Sequence, residues 1–177
     1  MSCMNPCQLD KYARDQAAWR DFAKVNHLAS TSLFNSRNPF LYLVAATLGH
    51  HSLEMYLKAA LISEGMTVFD PRRVSSLDPA VGLTAADCAW GHSLAQLARE
   101  LSKRRPDFDL SAQINVPGCV VLEMPMTIND ALATFDPFFS ELRYPQELRN
   151  LKEGVGEEEK LVLDELVARL KPFLSRI

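Results

Sequence analysis

The sequence has few cysteines, few glycines and no long run of purely apolar residues, and each shortage argues against a class of protein. Four cysteines and 7 glycines among 177 residues exclude a disulfide scaffold and a collagen. The longest apolar segment, FLYLVAATLGHHSLEMYLKAALI, contains two histidines, a glutamate and a lysine, so it predicts a buried helix and no membrane association. The first residues contain no apolar signal segment, so we expect reduced thiols and a cytoplasmic protein.

An excess of charge of one sign is also missing. The 19 Lys+Arg and 22 Asp+Glu residues give a formal net charge of -3, which argues against the strong basic field of a duplex-DNA binder. Hydrophobic residues make up 47% of the chain and charged residues 23%, an ordinary globular composition. A chain of this length usually forms one domain, so we predict a single domain over residues 1–177.

Apolar residues recur at helical spacing along most of the chain, which predicts an all-α protein. The first helix is predicted from about Leu9 to Leu33, as an amphipathic helix with these residues on one side or close to it: Trp19, Phe22, Asn26 and Ala29 on that side, and Ala18, Val25 and Leu28 close to it. Four more helices are predicted, over these segments: Pro39 to about Glu64, His92 or Ser93 to before Pro106, Ile128 to Leu142 with a kink or restart at Pro137, and Glu157 to Leu174. About five main helices of this length predict an up-and-down helical bundle.

Three local signals mark where these helices begin and end. Asn38 followed by Pro39 predicts an N-cap and a first helical position. Gly65 predicts the end of the same helix. Thr127 and Asp130 have the spacing of a capping box ahead of the fourth helix.

Two segments carry no helical period. Residues 66–90 contain Pro71 and Pro79 and predict a long irregular loop, with one helical turn where Thr84 and Asp87 have capping-box spacing. The segment QINVPGCVVLEMPM is rich in valine and proline and predicts extended chain or a hairpin. No convincing strand pair is predicted.

The second helix carries one polar stripe on an otherwise apolar surface. Thr47, His51, Glu54 and Lys58 recur at +4, +7 and +11, so they lie on one side of the helix. Glu54 and Lys58 also have the i, i+4 spacing of a helical ion pair. The stripe is either a solvated or internally paired set of polar groups, or a polar groove that holds a ligand. Burial distinguishes the two, because a buried Glu and Lys need each other or a ligand.

Other catalytic and metal-binding patterns are weak or missing. His50, His51 and Glu54 form a cluster, but the order His-x-x-Glu is the reverse of the Glu-x-x-His motif of di-iron bundles and occurs once. Cys88 and His92 have the spacing of one helical face. The sequence has no GxSxG motif, no P-loop and no GxGxxG motif. We therefore predict no bound metal and no cofactor.

The segments LEMYLKAALISEG, GHSLAQLARELSKRRP and ELRYP, in this order, resemble a HEPN domain, named for higher eukaryotes and prokaryotes nucleotide-binding. The resemblance covers roughly Gln8 to Leu148. It implies an up-and-down helical bundle, a homodimer, and a function with a nucleotide, RNA or a nucleotidyltransferase-type partner. The residues expected to bind a ligand are His51 of the polar stripe and the positions that match the family's shared polar residues: Glu54, Lys58, His92, Arg143 and Tyr144.

HEPN ribonucleases are expected to carry an Arg, four to six residues and then a His near the start of a late helix, facing the same motif across a dimer. This sequence has no His after His92, so neither Arg143 nor Arg149 completes that motif. One match to the spacing, Arg20 to His27, lies on the first helix. The departure predicts a non-catalytic bundle that binds a nucleotide or RNA, or docks a nucleotidyltransferase-type partner. The alternatives are a dimeric ribonuclease or toxin that uses Arg20 and His27, and a homodimeric interaction module without a ligand.

Overall fold

The structure is a computed structural model that describes residues 8–116, 126–140 and 155–174. Within these ranges 68% of the residues are helical and 6% are in strands, so the predicted all-α class is confirmed. The α-helices of the described ranges are α1 (Gln16–Asn35), α2 (Pro39–Ser63), α3 (Leu94–Arg104), α4 (Ile128–Phe135), α5 (Pro137–Ser140) and α6 (Glu157–Leu170). No described helix has the length and apolar character needed to cross a membrane.

Helix α2 is the central element of the fold. The Asn38 side chain accepts a hydrogen bond from the Phe40 backbone N–H and caps the helix, and Pro39 occupies its first turn, as predicted. Gly65 follows with a φ of 85°, a left-handed conformation that ends the helix. Because α2 packs against α1, α3, α4, α5 and α6, most of its circumference is buried.

The predicted start of the first helix at Leu9 is wrong, because α1 begins at Gln16. The Asp15 side chain accepts a hydrogen bond from the Ala18 backbone N–H and caps the helix. Before it, the Asp10 side chain accepts from the Tyr12 backbone N–H, and the Ala13 N–H donates to the Asp10 carbonyl. Two aspartates at turn and cap positions therefore divide an apolar pattern that is continuous in the sequence.

The predicted apolar side of the first helix is buried only in part. Trp19 packs against the core, but Phe22 is 61%, Val25 64% and Leu28 67% exposed; we call these last three residues the α1 ridge. The side that faces α2 consists largely of small and polar residues. The Ser30 hydroxyl, for example, donates to the Ala45 carbonyl at 2.7 Å. Small side chains with local hydrogen bonds let the two helices approach closely, and this contact outweighs burial of the larger apolar side.

Two short strand pairs contradict the prediction of none. Strands β1 (Thr67–Val68) and β2 (Cys88–Ala89) pair in parallel, and β3 (Gln113–Ile114) pairs antiparallel with β4 (Met126–Thr127). The second pair agrees with the predicted extended or hairpin segment. Strands of two residues are too short for a period-2 pattern, so the sequence carries no signal for them.

The segment 66–90 is irregular, as predicted, and it contains three 3₁₀ turns: Pro71–Ser76, Pro79–Val81 and Ala85–Asp87. The predicted capping box of Thr84 and Asp87 is present in the third turn. The Thr127 and Asp130 box is present at the start of α4, and the chain restarts as α5 at Pro137, as predicted.

Helix α3 is capped twice, once from its own segment and once from a distant one. The Ser93 hydroxyl accepts a hydrogen bond from the Gln96 backbone N–H. The Asp136 carboxylate, between α4 and α5, accepts from the Leu94 backbone N–H at 2.6 Å. A carboxylate here satisfies unpaired N–H groups and lies at the positive end of the helix dipole. This contact ties the start of α3 to the α4–α5 junction.

Candidate functional site

Glu54 and Lys58 of the predicted polar stripe are buried and paired with each other. They are 5% and 4% exposed, and the Lys58 ammonium donates to Glu54 Oε1 at 2.6 Å. A buried ion pair tolerates desolvation only when its geometry is good and its remaining hydrogen-bonding capacity is used. The 2.6 Å contact between Lys58 and Glu54 provides the good geometry.

His92 uses part of the remaining hydrogen-bonding capacity of the Glu54 carboxylate, and His50 and His51 lie nearby. His92 Nδ1 lies 3.1 and 3.2 Å from the two Glu54 oxygens, while His50 Nε2 lies 3.7 Å and His51 Nδ1 3.9 Å from Oε2. Burial by itself raises the pKa of Glu54, but the nearby His50 and His51 imidazoles and the Lys58 ammonium outweigh it. The pKa of Glu54 is therefore held well below its usual range, and the group is ionised. We call Glu54, Lys58 and the three histidines the Glu54 network.

The Glu54 network connects three helical elements. Glu54 lies on α2, His92 precedes α3, and the Lys58 ammonium lies 5.3 Å from the ring centroid of Trp19 on α1. The network thus brings together four predicted site residues, His51, Glu54, Lys58 and His92. The burial of its ion pair favours an internally paired set of polar groups over an open groove for a ligand.

Other predicted positions lie elsewhere. Arg143 and Tyr144 lie outside the described residues, so their contacts stay predictions, including a pairing of Arg143 with Glu54. Cys88 and His92 do not share a helical face, because Cys88 lies in β2 and His92 precedes α3. No group of three or more His, Cys, Asp or Glu residues suited to a metal ion occurs within the described ranges.

Arg20 and His27, the predicted spacing match on α1, line one cleft together. This basic cleft has a volume of about 630 Å³ and lies between α1, α2 and the end of the described chain; it is lined by Arg20, Lys24, His27, Leu28, Tyr56, Lys171 and Leu174. The helical spacing of Arg20, Lys24 and His27, at i, i+4 and i+7, places them on one side of α1. The described lining contains three permanent cations and no carboxylate, although the chain carries a net charge of -3.

Arg20 combines an exposed guanidinium end with a buried Nε–H. Its side chain is 31% exposed, but its Nε atom is buried and has no hydrogen-bond acceptor among the described residues. The nearest charged group is the Asp21 carboxylate at 3.5 Å, which also lies 3.5 Å from the Lys24 ammonium. Asp21 is 64% exposed, so solvent screens its attraction for both cations.

Two other polar residues line the basic cleft, His27 and Tyr56. His27 Nε2 donates to Asp164 Oδ1 at 2.8 Å, and the Lys160 ammonium lies 3.0 Å from the other oxygen. The hydrogen bond from His27, followed by that from Lys160, lowers the pKa of Asp164 despite its burial. Burial, with the Asp21 charge, raises the pKa of Tyr56, so its hydroxyl remains a donor at neutral pH.

Sequence reasoning missed Lys24, Tyr56 and Lys171 as part of a site. Lys24 is detectable, because it lies between Arg20 and His27 on one helical side. Tyr56 and Lys171 join the cleft only through the packing of α1, α2 and the C-terminal segment, which no local pattern encodes.

Comparison with known proteins adds no relative. The chain matches no protein-family model, no curated protein and no solved structure. The HEPN resemblance therefore rests on the three quoted segments and their order.

Proposed function

We propose that the protein is a non-catalytic, HEPN-like helical bundle that binds the phosphate groups of a nucleotide or of RNA in the basic cleft. The observation that carries this proposal is the convergence of Arg20, Lys24 and Lys171 on one cleft whose described lining has no carboxylate. A guanidinium binds two phosphate oxygens at once, and two ammonium groups beside it add attraction at short range. The resemblance of the three quoted segments to HEPN domains points to the same class of ligand.

The remaining residues suit the same ligand. The Tyr56 hydroxyl, which is protonated at neutral pH, serves as a neutral donor to a phosphate oxygen. Leu28 and Leu174 provide apolar walls against which a sugar or base packs. In this proposal the Glu54 network does not touch the ligand and holds α1, α2 and the start of α3 in place.

Thermal unfolding with ligands tests this proposal. Purified protein is heated with ATP, GTP, a short single-stranded RNA, and tripolyphosphate as a control for phosphate alone. A ligand at 100 times its Kd adds about 2.7 kcal/mol, which raises Tm by about 5 to 10 °C in a domain of this size. We expect such a shift for a nucleotide or the RNA.

Variants locate the binding site. We expect the ligand-induced rise in Tm to be lost in Arg20→Ala and in Lys171→Ala. It should be kept in Arg99→Ala, which removes an exposed arginine of α3 outside the cleft. A full shift in Arg20→Ala, or no shift with any of the ligands, contradicts the proposal.

A second candidate function is an interaction module, and the α1 ridge favours it. Three large apolar side chains in successive turns of one helix, each more than 60% exposed, are typical of a protein-binding surface. The occupant under this proposal is a second copy of the chain or a nucleotidyltransferase-type partner. Light scattering at micromolar concentration tests the homodimer, and a monomer contradicts it.

A ribonuclease remains the alternative for the basic cleft, because Arg20 and His27 both line it. Under this proposal Arg20 stabilises the phosphate charge and His27 transfers a proton through Nδ1, since Nε2 is bonded to Asp164. Cleavage of a labelled RNA that is undiminished in His27→Ala eliminates this alternative.

A further inference from the structure

A second cleft, separate from the basic cleft, is lined mainly by aromatic rings. This aromatic cleft has a volume of about 390 Å³ and shares no lining residue with the basic cleft; it is lined by Asp10, Tyr12, Ala13, Ala18, Trp19, Phe22, Met55, Val68 and Trp90. Three of its four rings face solvent, with Tyr12 and Trp90 at 45% exposure and Phe22 at 61%. A ligand therefore reaches them without any part of the core opening.

One of the rings, Trp19, and the carboxylate of Asp10 are both tied to the backbone of Tyr12. The Trp19 indole N–H donates to the Tyr12 backbone carbonyl at 2.9 Å, which holds the Trp19 ring against the backbone of the Tyr12 turn. The Asp10 side chain accepts from the Tyr12 backbone N–H at 2.8 Å, which holds the carboxylate beside the same turn. The cleft thus combines preformed aromatic walls with one carboxylate at its edge, and pre-organised walls reduce the entropic cost of binding.

The electrostatics of the aromatic cleft suit a cation. Ring faces carry the negative part of the aromatic quadrupole, and Asp10 is the one charged residue in the described lining. The protein's own ammonium groups already lie over two of the rings. Lys11 Nζ lies 4.6 Å from the Tyr12 ring centroid, and Lys58 Nζ lies 5.3 Å from that of Trp19. The Lys58 charge is balanced by Glu54, so it opposes a further cation only weakly, and the exposed Lys11 side chain moves aside when a ligand cation takes the Tyr12 face.

We propose that the aromatic cleft binds an organic cation with a quaternary or methylated ammonium group. Such a cation is weakly hydrated and gains both from the ring faces and from burial of its methyl groups. Asp10 supplies the opposite charge. A nucleotide suits this cleft poorly, because no Arg or Lys in the described lining meets its phosphates and Asp10 repels them. This site goes beyond the proposed function, which uses the basic cleft alone.

The chain contains a reporter for this cleft. It has two tryptophans, Trp19 and Trp90, and both line the aromatic cleft. Intrinsic tryptophan fluorescence therefore reports occupancy of this site directly. We would titrate the full chain with choline, with the neutral isostere 3,3-dimethylbutan-1-ol, with adenosine and with sodium chloride at matched ionic strength.

The expected result is a saturable fluorescence change with choline at an affinity about ten-fold higher than that for the neutral alcohol. Sodium chloride gives no saturable change. Asp10→Asn and Trp90→Ala each weaken choline binding several-fold, with Trp19 as the remaining reporter in the second variant. Phe40→Ala, at a ring that is 91% exposed and outside the cleft, leaves it unchanged.

Three results overturn the proposal. One is equal affinity for choline and its neutral isostere, which means that apolar burial alone drives binding. Another is saturable binding of adenosine without binding of choline, which assigns the cleft to a stacked base. The third is no saturable change with choline at millimolar concentration.

Discussion

His27 Nε2 lies 2.8 Å from Asp164 Oδ1, and this hydrogen bond joins α1 to α6 at the wall of the basic cleft. The two residues are 137 positions apart in the sequence. The bond fixes the imidazole beside Arg20 and Lys24 without placing a carboxylate in the described lining of the cleft. The Asp164 carboxylate is bonded to His27 and to Lys160, and the positive charge of the cleft comes from Arg20, Lys24 and Lys171.

Removing the Glu54 charge is expected to destabilise the fold strongly. Glu54→Gln leaves the buried Lys58 ammonium without its partner, which costs about 3 to 5 kcal/mol of unfolding free energy. Urea unfolding monitored by circular dichroism measures the change. The matched control is Glu165→Gln, because Glu165 pairs with Arg169 at the surface and such pairs contribute below about 1 kcal/mol. Equal losses in both variants would contradict a buried network.

Acid is expected to weaken the fold partly through Glu54. Its pKa in the folded state is lower than in the unfolded chain, so the unfolded chain binds the proton first. The contribution is fully present at pH values above the usual 4.5 of a glutamate and is lost as the pH falls towards the lowered value. Unfolding free energies from pH 7 to pH 3 should therefore fall more steeply in the native protein than in Glu54→Gln. Parallel curves would show that Glu54 titrates normally.

The Asp136 carboxylate is expected to stabilise the start of α3. Asp136→Ala removes the acceptor of the Leu94 N–H and should cost about 1 to 2 kcal/mol. Asp136→Asn keeps an acceptor oxygen and serves as the control, with a smaller loss from the missing charge. Chemical unfolding of the two variants side by side measures the difference. An alanine variant as stable as the native protein would contradict the role of Asp136 as a cap of α3.

The sequence predicted the helices well, but it did not show which apolar residues of the first helix stay exposed. Capping residues such as Asn38, Thr84 and Thr127 act within their own turn, so their position in the sequence is sufficient to predict them. The exposure of Phe22 was not predictable in this way. It depends on which side of α1 packs against α2, and the buried residues Ala23, Ser30 and Phe34 mark that side.

In the candidate sites too, a contact between residues close in the sequence was predictable, and contacts between distant residues were not. The pairing of Glu54 with Lys58 follows from i, i+4 spacing, and the burial of the pair follows from the apolar character of α2 around it. The contact of His92 with Glu54 and the approach of Lys171 to Arg20 join residues far apart in the chain. No periodicity encodes such contacts.

The α1 ridge is expected to tolerate a charge without loss of fold. Val25 is 64% exposed, so Val25→Glu should change the unfolding free energy by less than about 0.5 kcal/mol. If the ridge forms a homodimer, the same substitution converts the dimer to a monomer, which light scattering detects. Gln96→Glu, at an exposed position of α3, is the control for one added negative charge. A Val25→Glu protein that remains fully dimeric excludes the ridge as the interface.

The measurement that tests the central claim most directly is isothermal titration of the nucleotide or RNA that gives the largest thermal shift. Native protein, Arg20→Ala and Arg99→Ala are titrated in the same buffer at two salt concentrations. We predict that Arg20→Ala weakens binding at least ten-fold, that Arg99→Ala binds like the native protein, and that binding weakens with salt. Equal affinity in native protein and Arg20→Ala would contradict the assignment of the basic cleft as a phosphate-binding site.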